Sequence, residues 1–221
     1  MNVHTQSNRF AALRQQMVAT QLRARGISDQ RVLDAFLRVP RHEFVPELYR
    51  DRAHEDHPLP IGDGQTISQP YIVAIMLQAL ELKPTDRVLE VGTGSGYVTA
   101  LLAELTAQVY SVERHPALAA DAQRVLTTLS YTNVGIVIGD GTAGLPAHAP
   151  YDAIIVSAAA SELPPALTSQ LREGGRMIIP VGPADSQQLQ LIRMRNGYPQ
   201  ISLREACRFV PLISGRNDPV E

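Results

Sequence analysis

The sequence predicts an α/β protein with a doubly wound, mostly parallel sheet, helices at its N-terminus and antiparallel strands at its C-terminus. Four short apolar runs rich in Val and Ile, at 87–92, 108–113, 133–140 and 151–158, alternate with helical patterns. A fifth run, at 175–182, follows a short helical pattern. Nearly continuous apolar strands that alternate with helices are typical of a parallel sheet covered on both faces.

The N-terminal part of the chain predicts two helices followed by a long irregular segment. Apolar residues recur at helical spacing over 10–22, and Gly26 is placed to end that helix. A second helix is expected over about 29–39, where Pro40 stops it. The stretch 41–68 has no clear period, and structureless segments of that length are often functional.

The remaining elements complete a single expected domain. A helix should begin at Pro70, because a proline in the first turn lacks only an N–H that has no partner there. Near the C-terminus, Asn196–Gly197 separates two alternating runs, which predicts a tight antiparallel hairpin. The expected domain spans 1–221, with N-terminal helices and a covering loop (1–69), a ligand-binding core (70–183) and C-terminal strands (184–221).

Composition and charge indicate an ordinary globular chain. Hydrophobic residues make up 44%, charged residues 19%, and the formal net charge is -2, so no nucleic acid partner is expected. No apolar run reaches the ~20 residues that span a bilayer, and the polar start has no secretory core. We therefore expect no membrane partner, a cytoplasmic location and a monomer.

The sequence offers no recognisable metal site. Cys207 is the single cysteine, which excludes an internal disulfide and any multi-cysteine metal site. The "HEDH" stretch at 54–57 lacks the His-Glu-x-x-His spacing and lies in a proline-rich segment. We interpret it as a solvated surface loop.

A glycine-rich turn follows the first predicted strand. The stretch "EVGTGSGY" places Gly92, Gly94 and Gly96 where the next helix opens, so that backbone N–H groups can approach a ligand. The spacing is G-x-G-x-G, unlike the G-x-G-x-x-G of dinucleotide-binding folds. Glu90, two residues before the first glycine, favours a ligand with a cationic or amine-bearing end over a pyrophosphate.

Two further acids follow the next strands. Glu113 stands 21 residues after Gly92, a distance at which an acid can bind ribose hydroxyls. Asp140 ends the third strand and could accept a hydrogen bond from an adenine amino group. S-adenosylmethionine fits this set, with its ammonium near Glu90, its ribose near Glu113 and its adenine near Asp140. The predicted cofactor-binding residues are Thr66, Ser68, Glu90, Gly92, Thr93, Gly94, Gly96, Glu113, Arg114, Asp140 and Gly141.

Seven collinear motifs carry a family resemblance from about residue 39 to Gly215. They are "LPIGDGQTISQPY", "RVLEVGTGSGYVTALLA", "YSVER", "GDG", "YDAIIVSAA", "LREGGRMIIPVG" and "RFVPLISG". Together they resemble the protein-L-isoaspartate (D-aspartate) O-methyltransferases. The resemblance implies a Rossmann-like sheet of the class I methyltransferase type. It also implies methyl transfer from S-adenosylmethionine to the free carboxylate of L-isoaspartyl and D-aspartyl residues in damaged proteins, which begins repair through a succinimide.

The resemblance also assigns substrate residues. It implies that the Thr-Ile-Ser loop covers the methyl donor, that Ser68 is the catalytic residue, and that isoaspartyl proteins and peptides are the substrates. Spacing alone leaves another reading open, in which Ser68 caps the helix at Pro70 and Thr66 only sits in a turn. The "RFVPL" segment would otherwise be interpreted as a buried strand. The implied substrate-binding residues are Ile61, Thr66, Ser68, Val210 and Leu212.

Two other functions compete with this interpretation. A nicotinamide-dependent oxidoreductase is disfavoured by the glycine spacing and by Glu90. A non-catalytic module that binds S-adenosylmethionine is disfavoured by Ser68, since a pure binder has no evident use for a hydroxyl that faces a substrate.

Overall fold

A seven-stranded sheet organises the computed structural model, which describes residues 3–215, with side chains from residue 8 onward. Its strands are β3 (Arg87–Val91), β4 (Gln108–Glu113), β5 (Val134–Ile138), β6 (Tyr151–Val156), β7 (Leu171–Val181), β8 (Gln187–Arg195) and β9 (Tyr198–Cys207). Their order in the sheet is β5-β4-β3-β6-β7-β8-β9. Strands β3 to β7 run parallel, whereas β8 and β9 are antiparallel, as predicted. The division into three parts within one domain stays a prediction, and its bounds reach residues 1, 2 and 216–221, outside the described part.

The helices lie close to the predicted positions. The first continues as a π-helical turn (Val18–Leu22) and a 3-10 turn (Arg23–Arg25), and Gly26 ends it in the left-handed region with φ 95°. Asp29 caps the second by accepting hydrogen bonds from the backbone N–H groups of Arg31 and Val32. The α-helices are α1 (Val3–Met17), α2 (Gln30–Arg38), α3 (Pro70–Leu80), α4 (Tyr97–Leu105), α5 (Pro116–Thr128) and α6 (Pro165–Thr168).

The segment over 41–68 is more regular than predicted. It contains two 3-10 helices (Arg41–Phe44 and Glu47–Arg52), followed by a two-stranded hairpin of β1 (Leu59–Gly62) and β2 (Gln65–Ile67). Asp63 and Gly64 form its two-residue turn with φ 48° and 68°, the left-handed geometry that Asp-Gly turns provide. The Asp-Gly signal was present in the sequence and should have predicted this hairpin.

The strand order places a crevice at the carboxyl ends of the central strands. Strand β3 lies between β4 on one side and β6 on the other, so the chain reverses its direction of progress across the sheet at β3. Crevices at such switch points are where open α/β sheets bind ligands. The turns after β3, β4 and β6 therefore meet at one edge of the sheet.

Two apolar layers cover the faces of the sheet unequally. Neighbouring residues Val88 and Leu89 are both fully buried and belong to opposite layers. The layer around Val88 contains residues from α2, α3, α4 and α5, whereas among the described residues the layer around Leu89 has one α-helical side chain, Leu167 of α6. The helices are therefore concentrated on one face, and on the other the 3-10 turn Gly141–Ala143 contacts α6.

A buried ion pair fixes the end of α3 against the sheet. Arg176 on β7 lies 2.7 Å from an Asp86 oxygen, and both side chains are at least 94% buried. The same guanidinium donates hydrogen bonds to the carbonyl oxygens of Leu80 and Glu81, where α3 ends. Asp86 also accepts a hydrogen bond from the Lys83 N–H, so each charge has several partners.

Replacing Arg176 by methionine should destabilise the fold strongly. Asp86 would remain buried without its cation, and removing one partner of a buried pair costs about 3 kcal/mol or more of unfolding free energy. Urea unfolding measures the change. The matched control is Arg193→Met, which breaks the more exposed pair with Glu81 and should cost less than about 1 kcal/mol. Equal losses in the two variants would contradict the assigned role of the buried pair.

No helix in the described range 3–215 combines the length and apolar character that crossing a membrane requires.

Candidate active site

An open cavity of about 830 Å³ lies at the carboxyl ends of β3, β4 and β6. The glycine turn after β3 forms one wall, the end of β4 another, and the β1–β2 hairpin and the segment after β9 close it from above. Of the predicted cofactor residues, eight line this cavity, namely Thr66, Ser68, Gly92, Thr93, Gly94, Glu113, Arg114 and Gly141.

Glu113 is held in the cavity wall by backbone hydrogen bonds. Its Oε2 accepts from the Gly94 N–H at 2.8 Å and its Oε1 from the His115 N–H at 2.9 Å. Gly94 adopts φ 53° in the turn, which brings its N–H to the carboxylate. The side chain is 4% exposed, so the carboxylate is fixed where a ribose hydroxyl could donate to it. The Glu113 carboxylate therefore has a fixed position in the cavity wall.

The structure does not bring Glu90 to the cavity surface. Its carboxyl group is fully buried behind the turn, where Oε2 accepts hydrogen bonds from Thr99 at 2.5 Å and Ser111 at 2.7 Å. Ser111 in turn contacts Thr93, which does line the cavity. The expected direct contact between Glu90 and an ammonium group has no support in this geometry, because the strand turns the side chain into the interior.

Burial also changes the ionisation of Glu90. Desolvation raises its pKa to about 8, against the opposing effect of the Thr99 and Ser111 hydrogen bonds, and the nearby negative charge of Glu113 adds to the rise. Glu90 Oε1 has no hydrogen-bond partner among the described residues. Near neutral pH the Glu90 carboxyl group is therefore mainly protonated, and it could donate this proton in a hydrogen bond to a neighbouring acceptor.

Asp140 shapes the cavity without lining it. Its Oδ1 accepts from the N–H and hydroxyl of Thr142, and its Oδ2 from the Gly215 N–H. Burial alone would raise the pKa of this carboxyl, but these hydrogen bonds bring it below its usual value. The next residue, Gly141, forms part of the cavity wall, and a Cβ there would lie 2.4 Å from Val91 Cγ1. Asp140 thus holds the turn in which residue 141 approaches Val91 so closely that only glycine fits.

A second cavity, of about 690 Å³, adjoins the first across a thin wall. The end of β9, the "RFVPL" segment and the start of α3 surround it. Thr66, Ser68, Ser157 and Val210 line both cavities. Three of these four side chains carry hydroxyl groups, so the lining that the two cavities share is mostly polar. Ser157, the first residue after β6, was not predicted, although the rule of strand carboxyl ends could have found it.

Ser68 is not the cap of α3. The cap position belongs to Gln69, and no side chain makes a capping hydrogen bond there. The Ser68 hydroxyl has no hydrogen-bond partner among the described residues, whereas its carbonyl oxygen accepts from Arg41 Nη2 at 2.8 Å. The hydroxyl therefore stays available at the wall between the cavities.

Arg41 is the residue that sequence reasoning missed. It is fully buried, its Nε donates to the Ala53 carbonyl oxygen at 2.7 Å, and its guanidinium lies 4.7 Å from the Tyr97 ring centroid. Burial lowers its pKa to about 10, which leaves it charged at neutral pH. Tyr97 lines the first cavity. The Arg41 guanidinium thus connects the Ser68 backbone to α4, the helix that follows the glycine turn. The periodicity of apolar residues does not predict such a contact.

The "RFVPL" segment forms a backbone bridge and is not a buried strand. The Val210 carbonyl oxygen accepts from the Ala159 N–H at 2.8 Å, and the Leu212 N–H donates to the Ala159 carbonyl oxygen at 2.7 Å. Both side chains are half-buried and line the first cavity, and Val210 also lines the second. Their implied role in substrate binding stays a prediction. The segment is therefore attached to the chain that follows β6.

Two further predicted site residues lie outside both cavities. Ile61 packs beside Gly94 on the outer side of the glycine turn, in a depression that Phe44 also lines. Gly96 begins α4 in the left-handed region with φ 85°, and a Cβ there would lie 3.1 Å from Ala122 Cβ. Both residues therefore contribute to the shape of the glycine turn from the side that faces away from the cavities.

No group of three potential metal ligands occurs among residues 3–215. The interpretation of 54–57 as a solvated loop is wrong for His54, which is buried with its ring 5.8 Å from that of His42. Burial lowers the pKa of His54 to about 3, so it packs as a neutral ring.

Replacing Glu90 by glutamine should change how stability depends on pH. The folded chain holds the Glu90 proton up to about pH 8, whereas an ordinary glutamate releases it near pH 4.5. Folding therefore takes up a proton in this window, and stability falls as the pH rises through it, by up to about 1.4 kcal/mol per pH unit. Glu90→Gln removes this loss, so urea unfolding should show the variant to be the more stable protein at about pH 8.

The control is Glu205→Gln, which replaces an exposed glutamate on β9 and should reproduce the wild-type pH dependence. Parallel stability curves for the wild type and Glu90→Gln would contradict the assignment.

Comparisons with known proteins agree with this geometry. The family model described as "Protein-L-isoaspartate(D-aspartate) O-methyltransferase (PCMT)" matches residues 13–217. A protein-L-isoaspartate O-methyltransferase from Koribacter versatilis (strain Ellin345) is 54% identical over 207 residues, which are 94% of this chain and 93% of that relative. One from Methanoculleus marisnigri is 54% identical over 201 residues, 90% of this chain and 91% of the relative.

Solved structures show the same fold. A protein-L-isoaspartate O-methyltransferase superposes with a TM-score of 0.83 and 32% identity, over 92% of this chain and 66% of that longer one. A beta-aspartate methyltransferase (PCMT) from Plasmodium falciparum, in complex with S-adenosyl-L-homocysteine, gives a TM-score of 0.78 and 30% identity over 89% of this chain and 96% of its own. The fold is that of class I methyltransferases. The chain belongs to the protein-L-isoaspartate(D-aspartate) O-methyltransferase family.

Proposed function

We propose that this chain transfers a methyl group from S-adenosylmethionine to the free carboxylate of L-isoaspartyl and D-aspartyl residues in damaged proteins. The observation that carries the proposal is the pair of adjoining cavities, which share a wall containing the unpaired Ser68 hydroxyl. One cavity has the glycine turn and one of the acids expected for a nucleoside, Glu113, and the other opens beside exposed backbone. Methyl transfer between two bound molecules needs this arrangement.

The residues of the first cavity fit the cofactor. Gly92 and Gly94 of the glycine turn line it, and Glu113 presents a fixed carboxylate for ribose hydroxyls. Gly141, whose turn Asp140 orders, also lines the cavity, where the adenine base is proposed to lie. Glu90 acts behind the turn through Ser111 and Thr93.

The chain contributes alignment to the reaction. S-adenosylmethionine, when bound, supplies a sulfonium-activated methyl group that an anionic carboxylate can accept without a general base. The Ser68 and Thr66 hydroxyls can each donate a hydrogen bond that orients the carboxylate without protonating it. None of the four residues of the shared wall is charged. Such orientation can supply several kcal/mol of the barrier reduction.

The methyl ester that results needs no further residue of this chain. The backbone nitrogen that follows the esterified residue attacks the ester carbonyl, methanol leaves and a succinimide forms. Hydrolysis of that ring returns part of the material to normal aspartate. Extended protein segments are the proposed substrates, because the second cavity runs along the backbone of the "RFVPL" segment.

We further propose a cytoplasmic monomer that acts without nucleic acid, membrane or metal partners. The half-buried free Cys207 and the small net charge of -2 support this proposal.

The first test measures transfer of labelled methyl from S-adenosylmethionine to two peptides that differ only in isoaspartyl or normal aspartyl at one position. Base-labile label in the isoaspartyl peptide alone is the expected result. Cofactor binding without label in either peptide would favour a non-catalytic binding module. Tight binding of reduced nicotinamide dinucleotide in place of S-adenosylmethionine would favour an oxidoreductase.

Ser68→Ala should separate catalysis from cofactor binding. Loss of the orienting hydroxyl should lower kcat by about 10- to 100-fold, the order expected for misplacement of a reacting group. The dissociation constant for S-adenosylhomocysteine, measured by calorimetry, should change less than about twofold, because Glu113 and the glycine turn remain. The control is Ser169→Ala, at the exposed residue that follows α6. Equal loss of binding and turnover would contradict an orienting role.

Arg41→Lys, like Ser68→Ala, should lower kcat. A lysine keeps the charge but cannot reach the Ala53 and Ser68 carbonyls with a fixed fork. We expect kcat to fall about tenfold, since small displacements near reacting atoms are costly, with KM and cofactor affinity little changed. The control is Arg38→Lys, at an exposed pair with Glu104. A proportional loss of folded protein, cofactor affinity and kcat would show that Arg41 is only structural.

A further inference from the structure

The tip of the β8–β9 hairpin exposes an asparagine–glycine pair to solvent. Asn196 and Gly197 form its two-residue turn with φ 54° and 77°, between the paired residues Arg195 and Tyr198. Both turn residues are exposed. The tip lies at the edge of the sheet opposite the cavities, because the nine residues of β8 span about 30 Å.

An asparagine followed by glycine can convert to isoaspartate by a defined reaction. The Gly197 backbone nitrogen attacks Asn196 Cγ, a carbon–nitrogen bond closes a five-membered succinimide, and ammonia leaves with the amide proton. Water then opens the ring to an isoaspartyl or aspartyl residue. The reaction needs the Gly197 N–H to lose its proton and its nitrogen to approach Cγ, which the absent glycine side chain does not hinder.

Glu173 opposes both requirements. This residue, near the start of β7, accepts the Asn196 N–H at Oε1, 2.7 Å away, and the Gly197 N–H at Oε2, 3.0 Å away. The second hydrogen bond keeps the attacking nitrogen directed at the carboxylate. A negative charge beside this N–H also disfavours loss of its proton, and the two bonds together fix the turn in its left-handed geometry.

We propose that Asn196–Gly197 is a modification site of this chain, at which the Glu173 carboxylate controls the rate of isoaspartate formation. Release of that carboxylate frees the Gly197 nitrogen and permits ring closure. An isoaspartyl residue adds a methylene to the backbone and cannot keep the two-residue turn. The proposal rests on the contacts of the turn and is independent of the methyltransferase activity.

The experiment follows isoaspartate at position 196 during incubation of the folded proteins at neutral pH, by peptide mapping. The wild type is compared with Glu173→Ala, which removes both acceptors, and with Glu173→Gln, which removes the charge and keeps one acceptor. A free peptide covering residues 190–202 gives the unrestrained rate. The control is Glu205→Ala, an exposed glutamate elsewhere on the same hairpin.

The expected order is wild type slowest, then Glu173→Gln, then Glu173→Ala, with the peptide fastest. Glu173→Ala should convert about tenfold faster than the wild type, since hydrogen bonds to a charged group have that weight in an equilibrium. Hydrogen exchange of the Gly197 amide should accelerate in parallel. Equal rates in wild type and Glu173→Ala, a wild-type rate equal to that of the peptide, or an equal acceleration by Glu205→Ala would each overturn the proposal.

Discussion

A single buried cation determines where the Ser68 hydroxyl lies. Arg41 sits in the interior with no exposed surface, a position that is unfavourable for a charge unless polar groups surround it. The carbonyl oxygens of Ala53 and Ser68 and the face of Tyr97 supply those groups. Three separate parts of the chain, the N-terminal 3-10 segments, the hairpin strand that leads to Ser68 and the first turn of α4, are thereby fixed to one guanidinium.

The two acids of the central strands, Glu113 and Glu90, differ in their roles because they lie at different depths. Glu113, at the end of β4, is held in the cavity wall by two N–H groups that stabilise its charge. Glu90, on the neighbouring strand, lies one layer deeper, and the charge of Glu113 helps to raise its pKa to about 8. The cavity thus has one carboxylate at its surface and one carboxyl behind it. The hydroxyls of Ser111, Thr93 and Thr99 join the inner group to its surroundings.

The central sheet could be read from sequence because burial on both faces leaves long apolar runs at β3, β4 and β6. The β1–β2 hairpin was missed because its strands are short and polar, even though Asp63–Gly64 marks its turn. For the site, the position of Glu113, Gly92 and Gly94 at strand ends agrees with their place in the cavity lining, whereas Gly96 lies outside it. The Glu90 side chain points into the interior, because successive side chains of a strand point to opposite faces and no sequence pattern gave the face. The role of Arg41 could not be predicted from the sequence, because its partners are backbone carbonyl groups that no sequence pattern specifies.

The wall between the two cavities restricts the shape of any acceptor. Thr66, Ser68 and Ser157 line both cavities, so molecules bound in the two cavities would contact the same three side chains. A bulkier side chain at any of these positions would take space from both cavities at once, so it would alter the fit of both bound molecules together.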